Sequence, residues 1–343
     1  MKNKTIFAAA LSMLCAPAAT AQLIINELMQ SNIDCIMDDI NEFPDSWVEL
    51  YNAGTSAVNL SDYAIGDKDK RSKAYALPSR TVQPGAYVVV YCDKGGEGMH
   101  ASFRLDSGKG GSVYLFRGDE VADKVENWKK QPAPNIAYGR ATDGAAEWGY
   151  QATPTPAAAN CGRTLKDILG APVFSVPGRV GSEAFNLSIS VPEGSPAGTV
   201  VRYTTDGTEP TADSRQCVNG LAVNKTTVVR AKLFCDGYLS PRSTAQSYIF
   251  FPREMTLPVV SMVCPAGYFY DNKIGIYVDG TYDSNPDKHN YDYDWRRPVN
   301  LEIFEKPGEA SVVNQLCETR VKGGASRGNA LKSLVLYANK RFG

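Results

Sequence analysis

The sequence predicts a mainly β protein: two β-sandwiches followed by a third, strand-rich segment. Three observations carry that reading. Short apolar or alternating runs recur between clusters of Gly, Pro, Asn and Asp, the spacing of antiparallel sandwiches. A Thr-, Pro- and Ala-rich stretch, residues 153–159, parts two such arrays like a linker, since proline keeps the residue before it extended. And 343 residues with 43% hydrophobic composition can bury two or three separate cores.

In chain order, residues 1–21 read as a signal peptide. Lys2 and Lys4 form a basic start, Ile6 through Leu14 an apolar run, and Ala19-Thr20-Ala21 a small-x-small cleavage site before Gln22. Leu14 is too large for the residue preceding a lipidated Cys15. These features predict export to the periplasm, the cell surface or the medium, and no later apolar run is long enough to span a bilayer. Cleavage removes two lysines and no acid, taking the formal charge from -1 to -3, a balance with no pull toward nucleic acid.

The first array opens with LIINELM and WVELYN as strands, continues through turns at Thr55-Ser56, Asn59 to Asp62 and Gln83-Pro84-Gly85, and adds strands at residues 87–91 and 113–116. The ordered blocks INEL, WVELYNAGTSAVNLSDYAIGD, LPSRTVQPGAYVVVYCD and ATPTPAAANC resemble a lamin-tail domain over residues 22–161. The resemblance implies an immunoglobulin-like sandwich that binds or adheres, with a surface glycan or an envelope protein as partner, and does no chemistry of its own. Asp67 and Asp69 lie among lysines and read as an exposed mixed-charge loop, since no further oxygen ligands follow at regular spacing. Trp128 and Trp148 could stack on sugars or pack against the sandwich flank. His100 and His289 are isolated and no CxxC occurs, so neither a zinc site nor a Ser-His-Asp triad is expected.

The second array, residues 170–251, places strands at 185–191, 200–205, 226–234 and 248–251, with Asp206-Gly207 in a tight turn. The segments VRYTTDGTEPTADS and TTVVRAKLFCDGYLSPRSTAQSYIF resemble the chitobiase/β-hexosaminidase C-terminal-type domain, another small immunoglobulin-like sandwich and a common spacer beside secreted catalytic modules. Asp206 and Glu209 sit in that turn motif without a second acidic pair, which argues against a glycosidase. Seven cysteines follow the signal, an odd count in an oxidising compartment. Cys217 with Cys235 is the favoured disulfide, both lying around one hairpin, and Cys264 with Cys317 would tie together the ends of the last segment.

That segment, residues 254–343, has strand-like runs at 257–263, 274–278 and 299–304 and a loop rich in Asp and Tyr at 280–295. A basic turn follows, with Lys322, Gly323, Gly324, Arg327 and Gly328 leading into a last run where Lys332 shares the parity of Leu334 and Leu336. Glycines there let backbone N–H groups approach a phosphate, and a core-side lysine calls for an anion; a polar hairpin before an edge strand reads the same residues without a ligand. The turn is not a Walker A loop, because Asn329 stands where the lysine belongs. The blocks LPVVSMVCPAGYFYDNKIGIYVDG, WRRPVNLEIFEKPGE and RVKGGASRGNALKSLVLYANKRFG resemble the N-terminal part of the CotH family of secreted, atypical protein kinases. The resemblance implies an incomplete α+β kinase-like segment in which Lys332, with Lys322, Arg327, Gly323 and Gly324, lies on the ATP side. ATP with magnesium and a protein phosphoacceptor belong to the complete enzyme, whose metal ligands and base would lie downstream. Three readings therefore stand: a modular exported protein with an inactive phosphate-gripping region, a fragment of an active secreted kinase, and a non-enzymatic adhesion or glycan-binding protein.

Overall fold

The computed structural model describes residues 23–151, 153–160, 165, 167–240, 242–281 and 287–339; the expected signal peptide and Cys161 lie outside them. The architecture is mainly β. The first unit contains β1 (Leu23–Met29), β2 (Trp47–Asn52), β3 (Val58–Asn59), β4 (Tyr63–Gly66), β5 (Tyr75–Ala76), β6 (Thr81–Val82), β7 (Tyr87–Cys92), β8 (His100–Ala101), β9 (Gly111–Arg117), β10 (Glu120–Trp128), β11 (Tyr138–Arg140) and β12 (Trp148–Tyr150). A six-stranded sheet in the order β12-β11-β1-β2-β7-β8 faces a four-stranded sheet β10-β9-β4-β5. Leu23, Ile25, Leu28, Val48, Leu50, Val88 and Val90 from the first sheet close on Ile65, Val113, Leu115 and Trp128 from the second, as period-two alternation requires.

β1 is buried along its whole length, so its second face must be covered as well. A register shift between Ile25 and Glu27 sets Glu27 directly opposite Glu49 of β2, both without solvent exposure. The stretch expected to be a linker covers them. The Thr155 N–H and hydroxyl donate to Glu27, the Ala157 N–H to Glu49 at 2.6 Å, and the Asn160 N–H to Asp143 at 3.0 Å. Residues 153–160 are thus the closing piece of the first sandwich, held by side-chain carboxylates where ladder hydrogen bonds are lacking.

The second unit contains β13 (Val173–Phe174), β14 (Arg179–Gly181), β15 (Phe185–Leu187), β16 (Ile189–Ser190), β17 (Val200–Thr204), β18 (Arg215–Gln216), β19 (Leu221–Val223), β20 (Thr227–Phe234) and β21 (Thr244–Phe250). A five-stranded sheet β14-β21-β20-β17-β18 packs against the small pairs β13-β16 and β15-β19 over Leu187, Val201, Tyr203, Val229, Leu233 and Tyr248. The favoured disulfide does not form: Cys217 and Cys235 carry free thiols. β17 lies between the strands that lead into them, so they are two strand spacings apart, roughly 9–10 Å, beyond the roughly 7 Å that a bridge tolerates.

The third unit is a four-stranded antiparallel sheet, β22 (Val259–Val263), β23 (Arg297–Phe304), β24 (Val313–Lys322) and β25 (Ser333–Tyr337), in sequence order. The expected α+β character is not found: α1 (Gly267–Tyr270), a single turn, is the one α-helix among the described residues. The pairing Cys264 with Cys317 also fails, because β23 separates β22 from β24 and its Val299 stands opposite Cys317. One face of the sheet lies under Phe269, Ile276, Tyr277, Tyr291 and Trp295. The other faces the second unit, where Glu302 accepts from the Ser247 N–H and Asn314 donates to the Ala245 carbonyl.

The loop between β1 and β2 joins all three units. Asp34 forms two 2.9 Å contacts with the Arg242 guanidinium of the second unit. Farther along, the Asn41 carbonyl and Glu42 meet Arg297 of β23, and Phe43 meets the Tyr268 ring edge-on with centroids 5.4 Å apart.

Candidate functional site

The basic turn between β24 and β25 places the sequence-derived residues together, and its geometry assigns them work inside the fold. Gly323 has φ +141, and a Cβ there would meet Ser326 Oγ at 2.4 Å, so the turn needs glycine. Arg327 donates to the carbonyls of Gly323 at 2.7 Å and Asp292 at 2.8 Å. Lys332 Nζ donates to the carbonyls of Arg327 at 2.5 Å and Asn329 at 3.1 Å, and lies 3.9 Å from the centroid of the Tyr291 ring. Its ammonium is on the side of Leu334, turned into the aromatic cluster and satisfied by carbonyls and a ring face. Lys322 and Gly324 are exposed. The loop before β23 is an anchor of the same kind: Asp294 pairs with Arg320, and Tyr291 and Trp295 are buried.

Glu209, which with Asp206 suggested acid chemistry, is likewise occupied. It accepts from the Ser243 N–H and hydroxyl and pairs with Arg230 at 3.3 Å and Lys232 at 3.7 Å. Trp128 is buried in the first core, while Trp148 stacks on Tyr138 and lies under Arg140, so neither presents a free ring face to a sugar. The Asp67 carboxylate pairs with Lys68 at 3.3 Å on the surface.

A more open arrangement lies between the second and third units. There a cleft of about 710 Å³ is bounded on one side by Thr205, Asp206, Lys225, Thr226 and Thr227, and on the other by Met262, Phe269 and Tyr270. The Asp206-Gly207 turn forms its rim. Gly207 has φ +84, and a Cβ would come within 2.9 Å of the Cys264 carbonyl, so glycine allows the two units to approach this closely. Asp206 accepts from the Thr208 N–H at 3.0 Å and hydroxyl at 2.6 Å, and these bonds hold its carboxyl below the usual range and ionised. Tyr270 is 63% exposed, at the end of the single helical turn, with Phe269 at 5.9 Å and Tyr277 at 6.3 Å between ring centroids. An aromatic wall opposite a row of hydroxyls, a carboxylate and an ammonium can take the apolar face of a pyranose on one side and its hydroxyls on the other.

Sequence reasoning assigned Asp206 to a turn without a site and passed over Phe269 and Tyr270. The available signal was the GYFY run, whose adjacent aromatics cannot all enter one core.

Comparison with known proteins places two of the three units. Residues 16–128 match the Lamin Tail Domain family, and residues 178–245 match the Chitobiase/beta-hexosaminidase C-terminal domain family. No curated protein and no solved structure matches the chain.

Proposed function

We propose that this chain is an exported, modular carbohydrate-binding protein in which two immunoglobulin-like sandwiches carry and space a glycan cleft. The observation that carries the reading is the Tyr270-Phe269 wall facing Thr205, Asp206 and Lys225 across 710 Å³. The match of the second unit to a domain named from chitobiase and hexosaminidase supports it, and so does the start of the chain, which has the pattern of a signal peptide. Envelope or matrix polysaccharide is the ligand class this predicts. Retention on insoluble chitin, cellulose and peptidoglycan tests it: the protein should be held by at least one of them, and Tyr270→Ala should weaken retention about tenfold, the worth of one aromatic stack. No retention on any of the three, or equal retention of the variant, overturns the reading.

A second reading keeps the resemblance of the last segment to the CotH kinases, with Lys332, Lys322, Arg327, Gly323 and Gly324 holding the phosphates of ATP beside magnesium. Three cations on one glycine turn favour it. For this role Lys332 must exchange two carbonyl acceptors for phosphate oxygens. Titration with ATP and magnesium decides: saturable binding that Lys332→Ala removes supports the reading, and absence of binding removes it.

A further inference from the structure

The histidine expected to be an isolated loop residue is the centre of a cluster. His100, which opens β8, has Nδ1 at 2.6 Å from Asp93 Oδ2 and Nε2 at 3.0 Å from Asp39 Oδ1. Asp38, only 7% exposed, brings a third carboxylate, and one ligand atom each from Asp38, Asp93 and His100 lie within 4.8 Å of one another. The ring is seated on Tyr91, with centroids 5.0 Å apart. Asp38 is itself fixed, because its Oδ1 accepts the N–H groups of Ile40 and Glu42 at 3.0 and 2.8 Å.

The two contacts of the ring pose an electrostatic question. A neutral imidazole donates from one nitrogen and presents a lone pair at the other, so one carboxylate would face a lone pair. An added positive charge, a proton or a metal ion, makes both contacts favourable. A proton supplies one charge against three carboxylates; a divalent ion supplies two. The donor set, one imidazole nitrogen and carboxylate oxygens, suits zinc or manganese, whereas calcium takes oxygens alone. The neighbouring cleft of about 260 Å³ also has Asp38 and Asp93 in its wall, while its other acids are matched by arginines, Asp45 by Arg104, Asp294 by Arg320 and Glu318 by Arg296, so the charge left over lies at the histidine.

We propose that Asp38, Asp93 and His100 form a divalent transition-metal site, with Asp39 available as a further oxygen ligand. Two carboxylates with one imidazole leave coordination positions to water. Asp38 belongs to the loop that seats both other units, and Asp93 and His100 to the end of β7 and the start of β8, so the ion would clamp that loop to the sandwich.

The test uses the full chain, stripped with a chelator and followed by thermal unfolding at neutral pH with zinc or manganese chloride, and calcium chloride as control. Zinc or manganese in about hundredfold excess over its dissociation constant should raise the Tm by about 5 °C. His100→Gln and Asp38→Asn should abolish the rise. Cobalt chloride gives a second readout independent of variant stability, since visible ligand-field bands should appear with the native chain and be lost with Asp93→Asn. A response equal in His100→Gln, no response to zinc or manganese, a response to calcium alone, or stabilisation by acid without any metal effect overturns the proposal.

Discussion

Glu27 and Glu49 show how one substitution of expectation at the residue scale changes a property of the whole domain. Burial is the main cause that pushes their carboxyls up, to about 7 and about 8, and the donors Thr155, Asn26 and Ala157 only partly counter it. Unfolded, both ionise near 4.5. Between that value and 7–8 the folded state holds more protons than the unfolded one, so stability falls as pH rises, the reverse of the behaviour of a salt-bridged acid. Urea midpoints should drop from pH 5 to pH 8, reflecting a loss of unfolding free energy on the order of 3 kcal/mol for one carboxyl shifted this far. Glu49→Gln should flatten that slope; an unchanged slope would place the titration elsewhere. The alternation in WVELYN told the sequence reader that Glu49 lies in a strand. It did not tell that the opposite face is covered, because the covering comes from residues more than 100 positions later. Lys332 taught the same lesson. Its parity placed it on the side of Leu334, but the carbonyls and the ring that satisfy it come from turn geometry that no spacing encodes.

At the scale of elements, the strands were the legible part. Turn residues and period-two runs mark β2, β7, β9, β17, β20, β23 and β25, and a continuous apolar run marks β1, which is covered on both faces, whereas the strand expected at residues 274–278 is a turn. The strand expected at residues 185–191 is divided into β15 and β16, which pair with different partners, β19 and β13. Residues 153–160 misled because Pro and Thr look alike in a linker and in an extended segment docked on carboxylates. The loop between β1 and β2 misled more. It has no periodicity, yet it carries Asp34, Glu42 and Phe43, three of the contacts that hold other elements in place, and Asp38, which braces the loop itself. The disulfide expectations failed at this scale too, since proximity in sequence around a hairpin said nothing about an intervening strand. The aromatic wall of the cleft was hidden in a single helical turn too short to register as periodicity.

For the whole molecule, the coupling of the first two units depends on Asp34 and Arg242, a pair with each side chain 15% exposed. Burial works against both charges, and each restores the other: Asp34 stays below its ordinary value and Arg242 above. Arg242→Ala leaves an anion buried without its cation and should cost about 3–5 kcal/mol in an unfolding measurement, while Asp34→Asn combined with Arg242→Ala should recover part of that loss. A cost near zero for the single variant would show that the units are not energetically joined at this pair. The third unit is tied in by Arg297, which is fully buried, reaches the Ile274 and Asn41 carbonyls at 3.0 and 2.9 Å and lies over Phe43. The same loop therefore answers to both neighbours.

A bead-on-string protein would absorb tension by letting its modules swivel. Here the excursion after β1 acts as a keystone, gripping one neighbour through a guanidinium at Asp34 and the other through a guanidinium at Glu42. Those two contacts brace both neighbours against turning about the first sandwich, so the cleft between the second and third units keeps a set distance and angle from it.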